Sequence, residues 1–265
     1  MFANILIKNM KIIKINHFFF LFTFLVFISC KKDDESTPLI DEAKSENLKP
    51  LGTSAADLLS QNTYSSLTLE LAFTTGFRPS QEAIDDFKSF LESRINKPGG
   101  IVFVETEIIT PYVESQTIDD IREIEDEQRI HYTVADDIAI FIYFSHAKAS
   151  TDSEISVTLG TAYRNTSVVI YQQTIREVSI SQNSDLYVLE ETTLQHEIGH
   201  LFGLVNIQED DIHSVHEDLA HRKHCKVESC LMYFETNLPG SFRNRINVPS
   251  LDSLCIEDLQ AKGGK

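Results

Sequence analysis

Apolar and polar positions alternate from Leu67 to Phe73, the two-residue period of a half-buried strand. Pro79-Ser80 then opens a stretch in which Ala83, Phe87, Phe90 and Leu91 recur at helical spacing, closed by Pro98-Gly99-Gly100, so a capped helix is expected there. Residues 101–109 read as a second strand and residues 117–130 as an acidic amphipathic helix. Residues 137–144 form an almost continuous apolar run, the pattern of a strand covered on both faces. Residues 155–163 and 168–171 read as further strands, and Gly160 inside the first marks a bulge or a close backbone approach. A helix from about Asp185 to Phe202 follows. The order strand–helix–strand–helix–strand–strand–strand–helix predicts an α/β sandwich with a mixed sheet.

The last of these helices carries the chemistry. Its centre reads His196-Glu197-Ile198-Gly199-His200. Residues four apart on a helix differ by about 40° around the axis, so both imidazoles can face one zinc ion. Glu197 lies beside them, where it can act as general base. Tyr187, Leu194, Ile198 and Leu201 fall roughly opposite His196 and form an apolar back face. Gly203 stands where the helix must stop and turn the chain back.

The chain's first residues differ from the rest. Residues 1–29 hold Lys8, Lys11 and Lys14 and no acid, and an apolar run from Phe18 to Ile28 follows the lysines. That run is too short to span a bilayer comfortably and predicts a secretory signal. Ser29-Cys30 resembles the lipobox of bacterial lipoproteins, which implies cleavage before Cys30 and acylation of its thiol. Lys31-Lys32-Asp33-Asp34-Glu35 resembles the export tags of some Gram-negative surface lipoproteins, implying an outer-membrane protein on the periplasmic or the cell-surface side. Residues 30–63 are polar and mixed, with Pro38 and Pro50, and are expected to form a flexible tether with one short helix near residues 55–59. The folded domain is then 64–265, large enough for one good core.

The net charge is −17, and losing the three lysines of the signal takes it to about −20. Phosphate backbones need a basic face, so this balance argues against nucleic acid as a partner. It also argues against a polybasic membrane contact, leaving the lipid as the means of attachment.

Downstream of Gly203 the string His224-Cys225-Lys226-Val227-Glu228-Ser229-Cys230-Leu231-Met232 resembles the metzincin clan of zinc peptidases, and within it the archaemetzincins. These carry the same helix motif, then a third histidine followed at once by cysteine, four residues, cysteine, any residue and methionine. The resemblance runs from about Tyr64 to the end. It implies a zincin domain with a mixed, mostly parallel twisted sheet, an active-site helix and a methionine turn at Met232. It also implies zinc as cofactor, a cleft beneath an edge strand, and hydrolysis of peptide or protein substrates. His196, His200 and His224 would bind the metal and Glu197 would serve as base. Tyr233 would either stabilise the oxyanion or belong to the core.

Two departures from that pattern stand out. The family places its third histidine three residues after the glycine, where this chain has Asn206, a poor zinc ligand; His224 comes 18 positions later. The intervening segment is therefore expected to loop out and return, and its His216 and His221 are the alternatives to His224. The family also ends on a cysteine pair, of which this chain keeps Cys255 and has Asp258 at the second place. Cys225, Cys230 and Cys255 then leave two options: a Cys225–Cys230 disulfide, or a second, structural zinc held by the three cysteines and Asp258. The other class of function is a catalytically inactive zinc-binding surface lipoprotein, for which Glu197 would have no use.

Overall fold

The computed structural model describes residues 43–234 and 247–265. The expected signal, Cys30 and the charged stretch after it lie outside the described residues. Among those described, no helix is long and apolar enough to cross a membrane.

The central sheet has five strands: β1 (Ser66–Thr74), β2 (Gly100–Ile108), β4 (Asp137–Phe144), β6 (Gly160–Arg164) and β7 (Ser167–Ile170), in the order β2-β1-β4-β7-β6. The first four run parallel; β6 pairs antiparallel with β7 at the edge. β3 (Ser115–Gln116) and β5 (Lys148–Ala149) form a separate short parallel pair. Helices among the described residues include α1 (Ala55–Leu59), α2 (Gln81–Arg94), α3 (Ile118–Gln128), α4 (Gln172–Gln182), α5 (Leu186–Leu201) and α6 (Ser253–Ala261).

The alternation of side chains along the strands divides the core into two layers. Leu67, Leu69 and Leu71 of β1 and Ile138, Ile140, Ile142 and Phe144 of β4 face one side, where they pack with Phe87 and Leu91 of α2 and Leu194, Ile198 and Leu201 of α5. Ala72, Phe141 and Tyr143 face the other, against Ile121 of α3. Both faces of β4 are thus covered, which accounts for its unbroken apolar run. Ser80 caps α2 by accepting from the Ala83 N–H, and Thr117 with Asp120 closes a capping box on α3.

Two expectations are corrected, and one helix is added that the sequence pattern left unassigned. Residues 155–159 do not extend the edge strand, which begins at Gly160; Ile155 is exposed, and the Thr158 N–H donates to Asp152 Oδ1 at 2.7 Å in a loop. α4 was not legible as a helix: its Thr, Ile and Val residues are stiff at χ1 and weak helix formers, and burial of Ile175 and Val178 against the core overrides that preference. The folded body also begins before Tyr64. Leu58 and Leu59 of α1 are fully buried, and Asn47 donates from Nδ2 to Thr133 Oγ1 at 3.0 Å and to the Ala139 carbonyl at 2.9 Å. Buried groups with fixed partners do not make a flexible tether, so that reading cannot extend to residue 63.

Candidate metal centre and cleft

α5 passes behind the edge strand β6, and the approach is too close for a side chain. A Cβ at Gly160 would meet Glu197 Cγ at 2.7 Å and Thr193 Cγ2 at 2.9 Å. This is the close backbone approach expected of that glycine. It lets the Ala162 N–H reach Glu197 Oε2 at 2.9 Å, so one carboxylate oxygen is anchored on the strand. Burial pushes the Glu197 carboxyl up to about 8, with the Ala162 N–H acting in the opposite sense.

On the same helix, His196 and His200 turn towards His224, which the chain delivers from beyond the insertion. The three rings have centroids 4.9, 5.3 and 5.1 Å apart, and one nitrogen from each lies within 4.8 Å of the others. His196 Nδ1 lies 2.8 Å from the Leu231 carbonyl and donates to it, leaving Nε2 as the lone-pair nitrogen. His224 Nδ1 lies 3.1 Å from the Arg222 carbonyl. His200 Nδ1 is buried without a hydrogen-bond partner. Burial lowers the pKa of all three imidazoles, His196 to about 4 and His200 well below its ordinary value, with the neighbouring histidines adding to the effect. Three neutral, converging imidazoles with an orphaned buried nitrogen among them are a donor set that fits zinc.

Met232 packs against α5 where the helix has no side chain in its way: a Cβ at Gly199 would stand 2.4 Å from Met232 Sδ. The cleft in front of the histidines has a volume of about 280 Å³, with Thr158, Leu159 and Gly160 on its strand side and Glu228, Tyr233 and Phe234 opposite.

The insertion is closed at its base. Lys223 Nζ donates to the carbonyls of Asn206 (2.6 Å) and Ile207 (3.0 Å), so the chain leaves and returns at one place, one residue before His224. Asn206 donates from Nδ2 to Glu217 at 3.3 Å. Of the alternatives to His224, His221 lies against Phe234 at 4.0 Å between ring centroids and pairs with Asp218 at 2.8 Å. His216 points elsewhere, into a buried cluster with Cys225 and Cys255.

All three described cysteines are free thiols, so Cys225 and Cys230 are not joined in a disulfide. Cys230 Sγ lies 3.6 Å from Cys255 Sγ. Asp258 stands outside this cluster, with Oδ1 accepting from the His213 N–H at 2.9 Å and Oδ2 3.0 Å from His216 Nε2. Sequence reasoning missed the Ala162 and Leu231 backbone groups. Main-chain partners carry no residue-type signal, and only the glycine at 160 marked where one would come close.

No protein-family model matches the sequence, and no curated protein matches it. Among solved structures, the chain is similar to the archaemetzincin of Methanopyrus kandleri, with 18% identity and a TM-score of 0.49, over 75% of this chain and 96% of that one. It is also similar to a zinc-dependent peptidase from Methanocorpusculum labreanum, with 15% identity and a TM-score of 0.44, over 72% of this chain and 99% of that one.

Proposed function

We propose that this chain is a zinc-dependent peptidase in which His196, His200 and His224 hold the metal and Glu197 is the general base. The observation that carries the reading is the pairing of three neutral imidazoles with a carboxylate anchored on the edge strand, at the wall of an open cleft. When bound, zinc would supply Lewis acidity at the scissile carbonyl and make a water acidic enough to lose a proton near neutral pH.

The chain's own residues do the rest. Glu197 Oε2 is engaged by Ala162 N–H, so Oε1 is left to take the proton of the attacking water and later deliver it to the leaving amide nitrogen. Burial alone would keep Glu197 protonated at neutral pH; a dication nearby acts in the opposite direction and favours the carboxylate a base requires. The free edge of β6 offers backbone groups to an extended peptide, and Met232 under Gly199 serves as a methionine turn that supports the three rings.

The open cleft favours an endopeptidase. Glu228 on its wall favours a second reading, an aminopeptidase whose acid receives the substrate's terminal ammonium. We also propose attachment through a lipid on Cys30, on the charge and signal pattern of the first residues.

The test is Glu197→Gln. Zinc content should be unchanged, since this residue is not a ligand, and hydrolysis of a peptide library should fall by about a hundredfold to ten-thousandfold. Near-normal turnover would refute the mechanism. Internally quenched peptides with blocked and free N-termini separate the two peptidase readings. A hydroxamate that fails to bind the zinc-loaded chain would favour a closed, non-catalytic metal site.

A further inference from the structure

A second groove, of about 390 Å³, runs between α2 and α5 and is bounded on its remaining side by residues 248–251. α5 sets two acids side by side here, and they are used differently. Glu190 is satisfied at both oxygens: Oε2 accepts from the Ser80 N–H at 3.0 Å and from Ser80 Oγ at 2.6 Å, and Oε1 accepts from the Gln172 amide. Glu191 lines the groove, where it is only 1% exposed. Its Oε1 accepts from the Gln195 amide, but Oε2 is buried without a hydrogen-bond partner.

Neither protonation state mends this. A carboxylate lacks a donor at Oε2, and a carboxylic acid with its proton there lacks an acceptor. Burial pushes the Glu191 carboxyl up to about 8; the Gln195 amide opposes this, Asp86 and Glu190 add to it, and no cation among the described residues acts against it. Asp86 lines the same groove and accepts from the Tyr187 hydroxyl. Two acids on one groove, with one oxygen unsatisfied, are complementary to an ammonium or a guanidinium. Arg94 adds a second requirement. It also lines the groove, its Cζ 5.9 Å from the centre of the Phe90 ring, and its buried Nε–H has no acceptor. A simple amine would leave that donor unfilled, whereas a peptide carrying the cation has carbonyls to fill it.

The groove adjoins the cleft. Pro249 lines both, and Glu191 and Gln195 on the groove side are followed directly by Thr192 and His196 on the cleft side. Glu191 stands five residues before His196, about 7.5 Å along the helix axis, which an extended peptide covers in about two residues. We propose that this groove receives the basic side chain of a bound peptide, its ammonium or guanidinium on Glu191 Oε2 with Asp86 beside it, so that Glu191 sets a preference for lysine or arginine close to the cleaved bond. The assignment rests on the peptidase reading and names the substrate class for it.

The test uses pairs of internally quenched peptides that differ only by lysine or norleucine at one position near the cleaved bond. On the zinc-loaded unmutated chain, which needs no variant to fold, kcat/KM should favour lysine at one position by roughly 10- to 100-fold, the range of a hydrogen bond to a charged group. Glu191→Gln should bring that ratio to within about twofold of unity, a change that a merely structural role for Glu191 would not produce. Binding is read separately, by fluorescence anisotropy of the labelled peptides on the zinc-loaded Glu197→Gln chain. The lysine peptide should bind roughly 10- to 100-fold more tightly than the norleucine peptide, and adding Glu191→Gln should remove the difference. A chain that cleaves neither peptide yet binds the lysine peptide through Glu191 loses the peptidase reading and keeps the groove. Equal treatment of lysine and norleucine at every position overturns the proposal, as does a lysine preference that survives Glu191→Gln. Butylammonium that binds as tightly as the lysine peptide would overturn the peptide assignment in favour of a site for small amines.

Discussion

Gly160→Ala tests the contact between the edge strand and the active-site helix. The added Cβ would stand 2.7 Å from Glu197 Cγ and 2.9 Å from Thr193 Cγ2, where ordinary contact is 3.4–4 Å. Strand and helix must therefore separate by about 0.7 Å, or Glu197 must leave its place. A separation of that size stretches the 2.9 Å bond from Ala162 N–H to Glu197 beyond hydrogen-bonding distance. Overpacking of this kind costs about 1–3 kcal/mol. At about 2–4 °C per kcal/mol for a domain of this size, the melting temperature should drop by several degrees. Displacing the base by most of an ångström should lower kcat/KM by about a hundredfold. Zinc content should be unchanged, because neither clashing side chain is one of the three histidines. The assay is thermal unfolding, zinc analysis and peptide hydrolysis on one preparation. A variant with both wild-type melting temperature and wild-type kcat/KM would refute the close approach and the anchoring of Glu197 from β6.

The remaining predictions concern other parts of the chain. His224→Ala should lower the zinc affinity of the histidine site strongly while His221→Ala leaves it near wild type, since His221 is held by Asp218 and Phe234; zinc titration of both decides. Glu191 is buried beside Asp86 and Glu190, and burial first, then those acids, push its carboxyl up to about 8. The folded protein keeps this proton where the unfolded chain has lost it, so Glu191 makes stability fall as pH rises from about 4.5 to about 8. Glu191→Gln should flatten that slope, raising the melting temperature over wild type by more at pH 8 than at pH 5; parallel curves would refute it. Acylation of Cys30 predicts a lipid-bearing mature N-terminus by mass spectrometry and loss of membrane partition in Cys30→Ala; an unmodified N-terminus sinks it.

What could be read from the sequence was set by how local each feature is. The spacing of His196, Glu197 and His200 is a property of one helix, so periodicity alone placed the two imidazoles on one face. The strand β4 was legible because burial on both sides leaves a run that no polar residue interrupts. The buried cluster was legible only in part. Cys255 and Asp258 are one turn apart on α6, which suggested that they share an ion. Yet Asp258 meets the far nitrogen of His216, and it is His216 that faces the sulfurs. That outcome depends on where the inserted segment docks, and no periodicity within α6 contains it.

The late position of His224 follows the same logic. The segment from Asn206 to Lys223, 18 residues, costs about 2–3 kcal/mol of loop-closure entropy if it is flexible. The chain offsets this locally. The Lys223 ammonium bonds two carbonyls at the point of departure, and Glu217 accepts from both Asn206 Nδ2 and the Lys223 N–H. His224 therefore starts from an anchored residue, and its ring needs no further ordering of the loop to reach His196 and His200. The left-handed backbone at Asn206 and Lys223, φ 59° and 71°, turns the chain outwards and back again at these two ends. Asparagine tolerates that conformation; lysine does so at a cost, which its three bonds here offset. The insertion is thus a side loop on a closed base, and the positions of the three histidines do not depend on its tip.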